Sequence, residues 1–540
     1  MSKMTHSPDR GSGALASVAD PKAETFGQSV ALRCLAVALV LGILAWQAFR
    51  ILAQTDGTLF YILDDPYIHL SLAENILRGH YGINPGEAAS PSSSILYPFL
   101  VAGGLGLGLG DLAPLVLNVL AMAGVAWIFG GLMARLRQDL EPMTIVALAF
   151  ILLAVHAAAL PFTGMEHTLH MWSSLLVVVG LIRLVETGRA SAWLVIGIIL
   201  SPLMRFEGFA LSVFAILALL VWRQRRAALL SLAALSTATG AYLVFMTWLG
   251  LPPLPSSVMV KSSASAAVVD AEAIPFFAAV IVSGYEAIQS RFGITLILGC
   301  SFIVLALGRK EPRLGERTVA LTVLGATIAH LLLAEFSGFP RYETYILAVV
   351  YATLLWLYAP ALRTGGRGTG LAIALLCAGL SLFYLAPLGY TPEAAQNIRD
   401  QQWQMHRFAT EFFPERVAVN DLGWVSYQND QYVLDLWGLG SEEARRLTAE
   451  GRDPRVIMEL ATRNDVAYAM IYQDWFAGAI PSQWCHMAQL QTIQITSSQA
   501  VVEFYLIDLA LEAEFRGAIE DFATELLPET SMDIFDCPEE

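Results

Sequence analysis

From Ala31 to Ala53 the chain is almost unbroken apolar sequence. A bilayer is crossed by about 20 such residues in helical form. Inside hydrocarbon every backbone polar group has to be paired within the protein, so runs of this kind fold as helices or not at all. Similar runs recur near 112–134, 143–161, 168–186, 190–204, 208–223, 227–250, 293–308, 318–336, 344–362 and 370–388. The expected fold is therefore an α-helical polytopic membrane protein with about eleven transmembrane helices. Composition agrees: only 15% of residues are charged, against about 25% in a soluble domain.

The two ends differ from this middle. Residues 1–30 are polar and lack the basic-then-apolar order of a signal peptide, and are read as a disordered cytoplasmic tail. Residues 391–540 hold about 26 acidic and about 9 basic side chains and no lysine. The remaining chain is close to neutral. Such an asymmetry marks a domain boundary, so 31–390 is read as the membrane domain and 391–540 as an acidic soluble domain. An acidic domain without a basic arm argues against nucleic acid as a partner. Strand-like runs "RVAVND", "YVLDL", "VAYAMIY" and "VVEFYLIDL", with the helical "DPRVIMELATRN" between, suggest an α/β or α+β fold there. Its Trp424, Trp437, Trp475 and Trp484 suit either sugar stacking or a core. Cys485 and Cys537 can form a disulfide if this domain is periplasmic. No CxxC or Cys/His cluster suggests a metal site.

Arginine is concentrated in the short loops 134–138, 183–190, 222–228, 308–317 and 363–367. Short cytoplasmic loops carry such an excess. All five fall on one side only if the glycine-rich segment 93–110 does not cross, so it is read as an interfacial or re-entrant helix inside a first outer loop, 54–111. The amino terminus is then cytoplasmic and the acidic domain extracytoplasmic. The same topology sends Asp64, Asp65, Glu166, Arg205, Glu207, Lys261, Arg341 and Glu343 to the outer face. Ionisable groups at span ends are costly to dehydrate and commonly line a site.

The stretch "YILDDPYIHLSLAENILRGHYGINPGEAASPSSS" opens that outer loop. Asp65-Pro66 reads as a helix start, aspartate at the cap and proline at the first helical position. Ile68, Leu72, Ile76 and Leu77 form one apolar stripe, which suggests a short helix lying along the membrane surface. With Asp65 occupied by capping, Asp64 is the freer carboxylate and the candidate general base; the alternative is that both only cap the helix. Arg205 and Glu207 read either as substrate contacts or as an ion pair joining two spans. His69 and His167 are weaker candidates. A divalent cation between Asp64 and Asp65 is left open, because adjacent carboxylates alone are a poor metal signal.

Five segments resemble, in order, those of bacterial GT-C glycosyltransferases of the arabinofuranosyltransferase-like and mannosyltransferase-like group. They are "DDPYIHLSLAENILRGHYGINPGE", "TGMEHTLH", "LMRFEGF", "GFPRYETYIL" and "VAVNDLGWVSYQNDQYVLDLWGLGS". The resemblance covers roughly residues 55–440. It implies an inverting enzyme of the bacterial inner membrane. Such an enzyme moves a pentose or hexose from a polyprenyl-phosphate carrier to an envelope glycan, lipid or protein on the outer face. It implies Asp64, with Asp65 beside it, as the catalytic carboxylate. Charge developing on the leaving phosphate calls for cations, and Arg341, then Arg205 and Lys261, are the candidate donor-phosphate contacts, since arginine binds phosphate bidentately. Glu166, Glu207, Tyr67, His69 and Tyr342 would hold or orient sugar and acceptor. The chain departs from the group in its serine/proline loop, which lacks tryptophan, and at Phe206, where proline is common. The sugar is therefore left open. Rival readings are a lipid-linked-sugar transporter or flippase and a non-catalytic glycan-binding membrane protein. The absence of an internal repeat and the one-sided placement of polar groups weigh against the former.

Overall fold

The computed structural model describes residues 21–136, 142–261, 276–308, 313–334, 336, 339–363, 367–448 and 451–537. The chain is a polytopic α-helical membrane protein with a C-terminal mixed α/β domain. Among the described residues seven helices are long and apolar enough to cross a membrane: Ser29–Gln54, Gly110–Leu136, His167–Thr187, Arg225–Trp248, Leu314–Leu333, Thr344–Arg363 and Leu371–Phe412. A further pair, Val280–Gln289 and Arg291–Leu307, is bent by 91° at Ser290 and forms either a broken span or a re-entrant loop. The expected spans at 143–161, 190–204 and 208–223 are shorter helices, Pro142–Ala154, Ala192–Met204 and Gly208–Val221. At 1.5 Å per residue each falls short of the roughly 30 Å hydrocarbon thickness. Apolar composition does not reveal the breaks that shorten them, such as the left-handed turn at His156 and the extended residue Arg205.

Residues 1–20 of the expected tail lie outside the described residues, and the first helix begins at Pro21. The glycine-rich segment forms only the ten-residue helix Tyr97–Gly106, too short to cross. The described parts of the five arginine-bearing loops gather at one end of the bundle. Arg135 pairs with Glu186 at that end, Arg363 donates to the Arg135 carbonyl, and Gln224 donates to the Gly188 carbonyl. Gly315 packs on Val185 there. The side chains of Asp64 and Arg341 lie at the other end.

The last long helix passes residue 391 without a break and ends at Phe412. A six-stranded sheet follows, built from β1 (Val417–Val419), β2 (Val433–Asp435), β3 (Tyr468–Ile471), β4 (Cys485–Gln491), β5 (Val501–Leu506) and β6 (Ser531–Ile534). The spatial order is β2-β1-β3-β5-β4-β6, parallel at β1–β2 and β1–β3 and antiparallel elsewhere. The sequence reading contains β1, β2, β3, β5 and the helix Pro454–Arg463. It lacks β4, whose "CHMAQLQ" is short of β-branched residues, and the exposed edge strand β6. Trp424 and Trp484 are core residues, while Trp437 and Trp475 are half-buried and pack on one another.

Cys485 and Cys537 are joined as a disulfide, with Cα atoms 5.6 Å apart. It ties β4 to the segment after β6. Replacing Cys485 with serine is expected to lower the unfolding free energy of this domain by about 2–4 kcal/mol. Chemical unfolding with and without reductant checks this, reductant abolishing the difference between wild type and variant.

The sheet domain rests on the loop segment 54–111. Asn84 of the "NPG" turn clamps the edge of β2, donating to the Val433 carbonyl at 3.0 Å and accepting from its N–H at 2.9 Å. Glu87 accepts from Ser441 and Tyr432. The loop segment that resembles a glycosyltransferase motif is thus, in part, a docking element for the sheet domain.

Candidate active site

The helix Asp65–Leu77 and its cap Asp64 carry four of the candidate residues, and their environment differs from the sequence expectation. Its apolar stripe is not spread on a membrane surface. Ile68 and Leu72 join the core of the sheet domain, while Tyr67, Leu70 and Ala73 join the core of the helical bundle. Ser71 and Asn75 are buried too, donating to the carbonyls of Ser426, Gly82 and Ile83. The helix is a wedge between the two domains, and only its end is open, Leu77 being 55% exposed.

The aspartates exchange the parts expected of them. Asp64, not Asp65, occupies the cap position, and its side chain makes no capping bond to its own helix. Its carboxylate instead accepts from the backbone N–H groups of Gly423 (2.6 Å) and Trp424 (2.9 Å), at the start of the turn Gly423–Ser426. Asp65 turns to Arg341, whose Nη2 donates to it at 2.8 Å. Local capping preference lost to partners that lie hundreds of residues away. Asp64 is 8% exposed. Burial first, and then the neighbouring Asp421 carboxylate, push its pKa well above the usual aspartate range.

The approach at Gly423 is too close for any other residue. A Cβ there would lie 2.1 Å from the Asp64 carbonyl oxygen and 2.5 Å from its carboxylate. Gly423→Ala is expected to loosen the docked sheet domain by about 1–3 kcal/mol, the usual cost of overpacking. Faster proteolysis between the last long helix and β1 in the variant is the expected readout.

Arg341 lies in the loop before the helix Thr344–Arg363. Its Nη2 also donates to the Tyr342 hydroxyl at 3.1 Å. Burial alone would lower its proton affinity, but Tyr342 and Asp65 more than offset this, so the guanidinium stays charged. The Tyr342 ring lies 5.1 Å from the guanidinium carbons of both Arg341 and Arg205. Arg205 sits where the chain breaks between Ala192–Met204 and Gly208–Val221, and it is saturated with acid. Nη1 pairs with Glu166, while Nη2 and Nε pair with Glu207 at 2.8 and 3.3 Å. Glu166 is fully buried, and His69 Nε2 lies 3.6 Å from its other oxygen. His167 faces the Tyr342 ring.

The structure therefore brings Asp64, Asp65, Tyr67, His69, Glu166, Arg205, Glu207, Arg341 and Tyr342 into one connected cluster. Tyr67 serves it indirectly: its ring stacks on Trp424 at 4.1 Å and its hydroxyl accepts from the Tyr61 N–H. Lys261 ends the helix Ser256–Lys261, and its side chain lies outside the described residues. Because Asp64 and Asp65 turn to different partners, the pair does not fit a shared cation. Among the described residues no group of three or more His, Cys, Asp or Glu side chains is arranged to hold a metal.

Beside the cluster lies a cavity of about 250 Å³. Arg205, Glu207, Phe206 and Tyr342 line it, with Ser93, Ser257 and His330, which the sequence reading had not singled out. A histidine within an apolar span was the available signal for His330. The serines gave none.

Residues 396–505, from the last long helix to β5, match a family described as a domain of unknown function (DUF8728). No curated protein matches the sequence. Among solved structures the chain is similar to the oligosaccharyltransferase of Archaeoglobus fulgidus, crystallised with Zn and sulfate. Identity is 13%, coverage is 85% of this chain and 72% of that one, and the TM-score is 0.49. It is also similar to ArnT from Cupriavidus metallidurans in the apo state. Identity is again 13%, coverage is 86% and 97%, and the TM-score is 0.44.

Proposed function

We propose that the chain is an inverting membrane glycosyltransferase that moves a sugar from a polyprenyl-phosphate carrier to an envelope acceptor on the outer face of the inner membrane. The observation that carries this reading is the convergence of acidic and basic side chains from four distant segments beside a small cavity, at the end of the bundle opposite the arginine-rich loops. The same segments carry the motifs that resemble GT-C glycosyltransferases.

The chemistry follows from the groups. An acceptor hydroxyl is a weak nucleophile until its proton has somewhere to go. Asp64, fixed by two amide N–H bonds, takes that proton as the oxygen attacks the anomeric carbon. An ionised carboxylate has about four lone-pair sites, so two amide bonds leave capacity for the hydroxyl. The leaving phosphodiester becomes a phosphate monoester dianion, and charge grows on its oxygens. Arg341 stabilises that charge more in the transition state than in the ground state, by the bidentate geometry open to a guanidinium. Asp65 holds Arg341 in place. Lys261 supplies a second cation. Arg205, already matched by two carboxylates, orients Glu166 and Glu207 toward the sugar.

The test compares envelope glycans from wild type, a deletion strain and a strain carrying Arg341→Met at equal abundance. Deletion is expected to remove one sugar linkage, and Arg341→Met to remove it as well. Glycans unchanged by deletion would sink the reading and favour the transporter or glycan-binding alternatives.

A further inference from the structure

We propose that His330 is the specificity contact of the cavity: its Nε2 hydrogen-bonds one hydroxyl of a single bound glycosyl unit. This rests on the glycosyltransferase reading and deepens it. His330 lies on the helix Leu314–Leu333, lines the cavity and is 3% exposed. Its ring is held in place. Nδ1 is 3.2 Å from the Tyr345 hydroxyl, and Tyr345 is itself stacked on His170 with ring centroids 4.0 Å apart. Nε2, in contrast, is buried and has no hydrogen-bond partner among the described residues. A buried polar atom is costly without a partner, and a ligand in the cavity supplies one. The Tyr345 contact decides only whether Nε2 donates or accepts, and a sugar hydroxyl satisfies either.

The rest of the lining names the ligand class. The Ser93 and Ser257 hydroxyls are 3.2 Å apart, and the Glu207 carboxylate is held by Arg205. With the rings of Phe206 and Tyr342 they offer hydroxyl-bonding groups and aromatic faces that suit a sugar, while Phe209, Ala210, Val258, Ala329, Leu333 and Ala334 make the remainder of the wall apolar. Among the described residues the one arginine lining the cavity is already matched by Glu166 and Glu207, which disfavours an anion beside it. Phosphate belongs with Arg341, which is not among the residues that line the cavity. The volume, about 250 Å³, lies below the usual range of about 300–1,000 Å³ for small-molecule pockets. It suits one monosaccharide and not a chain of them.

The test uses the full chain in vesicles with three synthetic probes: farnesylphosphoryl hexoses and pentoses, their monodeoxy analogues, and farnesyl phosphate without sugar. For the preferred sugar, His330→Phe is expected to lower kcat/KM about 10- to 100-fold, the effect of losing one buried hydrogen bond. Affinity for farnesyl phosphate stays unchanged. One monodeoxy analogue is handled equally by wild type and variant, and that analogue identifies the hydroxyl. His330→Gln, which keeps a hydrogen-bonding group, restores part of the loss. Equal losses on every sugar and analogue, a parallel loss of farnesyl phosphate binding, or no change would each overturn the assignment. If His330→Phe does not fold, the monodeoxy series on wild type decides: tolerance of every analogue overturns it. A wild type that neither binds farnesyl phosphate nor transfers any sugar brings down the glycosyltransferase reading itself. Transfer that is indifferent to His330 brings down only this assignment.

Discussion

Arg205→Met is expected to destabilise the helical domain by about 3–5 kcal/mol, the usual cost of removing one partner from a buried ion pair. The methionine side chain fills most of the space. It leaves Glu166, fully buried, and Glu207 without the guanidinium that each of them pairs with. Arg205→Lys is expected to recover little. One ammonium cannot reproduce a planar fork that serves Glu166 through Nη1 and Glu207 through Nη2 and Nε. Adding Glu166→Gln and Glu207→Gln to the methionine variant is expected to restore much of the loss, since the penalty lies in uncompensated charge and not in a missing contact. Thermal unfolding in detergent, followed by size-exclusion of the surviving fraction, reads all three variants. The sequence left open whether Arg205 and Glu207 tie two spans together or meet a substrate. A methionine variant with unchanged stability and abolished transfer would assign Arg205 to substrate alone.

How far the sequence foretold this site depends on the distance over which its contacts act. The spans were legible because a bilayer imposes a length and a composition on each one separately. That is also why the breaks at His156 and Arg205 were not: each is a local departure inside a run whose average stays apolar. The candidate charges were legible as a set, because an ionisable group at a span end is conspicuous whatever it touches. Their partners were not. Asp65 looked like a helix cap by every local rule, yet it meets Arg341, 276 residues on. Asp64 looked free, yet it is capped by amides 359 and 360 residues away. The same holds for "NPGE", whose asparagine and glutamate serve the edge of β2 and the turn after it. Gly423 is the sharpest case, since only the packed structure shows that a methyl group there would strike Asp64.

Asp64→Asn is expected to lower transfer by about 10²–10⁴-fold, the usual contribution of a positioned general base, with the chain still made at normal abundance. The amide has nearly the shape of the carboxylate but can accept only one of the two N–H bonds from Gly423 and Trp424, its NH2 facing the other donor; the wedge helix keeps its apolar packing at some cost in stability, and the amide cannot act as the base. The pH dependence separates this role from a purely structural one. The folded pKa of Asp64 is raised by burial and by Asp421, while in the unfolded chain it lies near the ordinary value of about 3.9. Between those two values the folded protein holds a proton that the unfolded chain has released. This contribution to stability is therefore present at low pH and is lost as pH rises through the folded pKa. Over that same window the wild-type base becomes ionised, so kcat/KM rises with pH while stability falls. Asp64→Asn is expected to remove both slopes together, leaving a stability profile flatter than wild type and a residual rate without that acidic limb. Unfolding midpoints and initial rates measured on the same vesicle preparations across pH 4–8 (a range set about the carboxylate and histidine values) test the pair. A variant that loses transfer yet keeps the wild-type stability slope would mean that another group, with Asp421 the nearest carboxylate to examine, carries the proton.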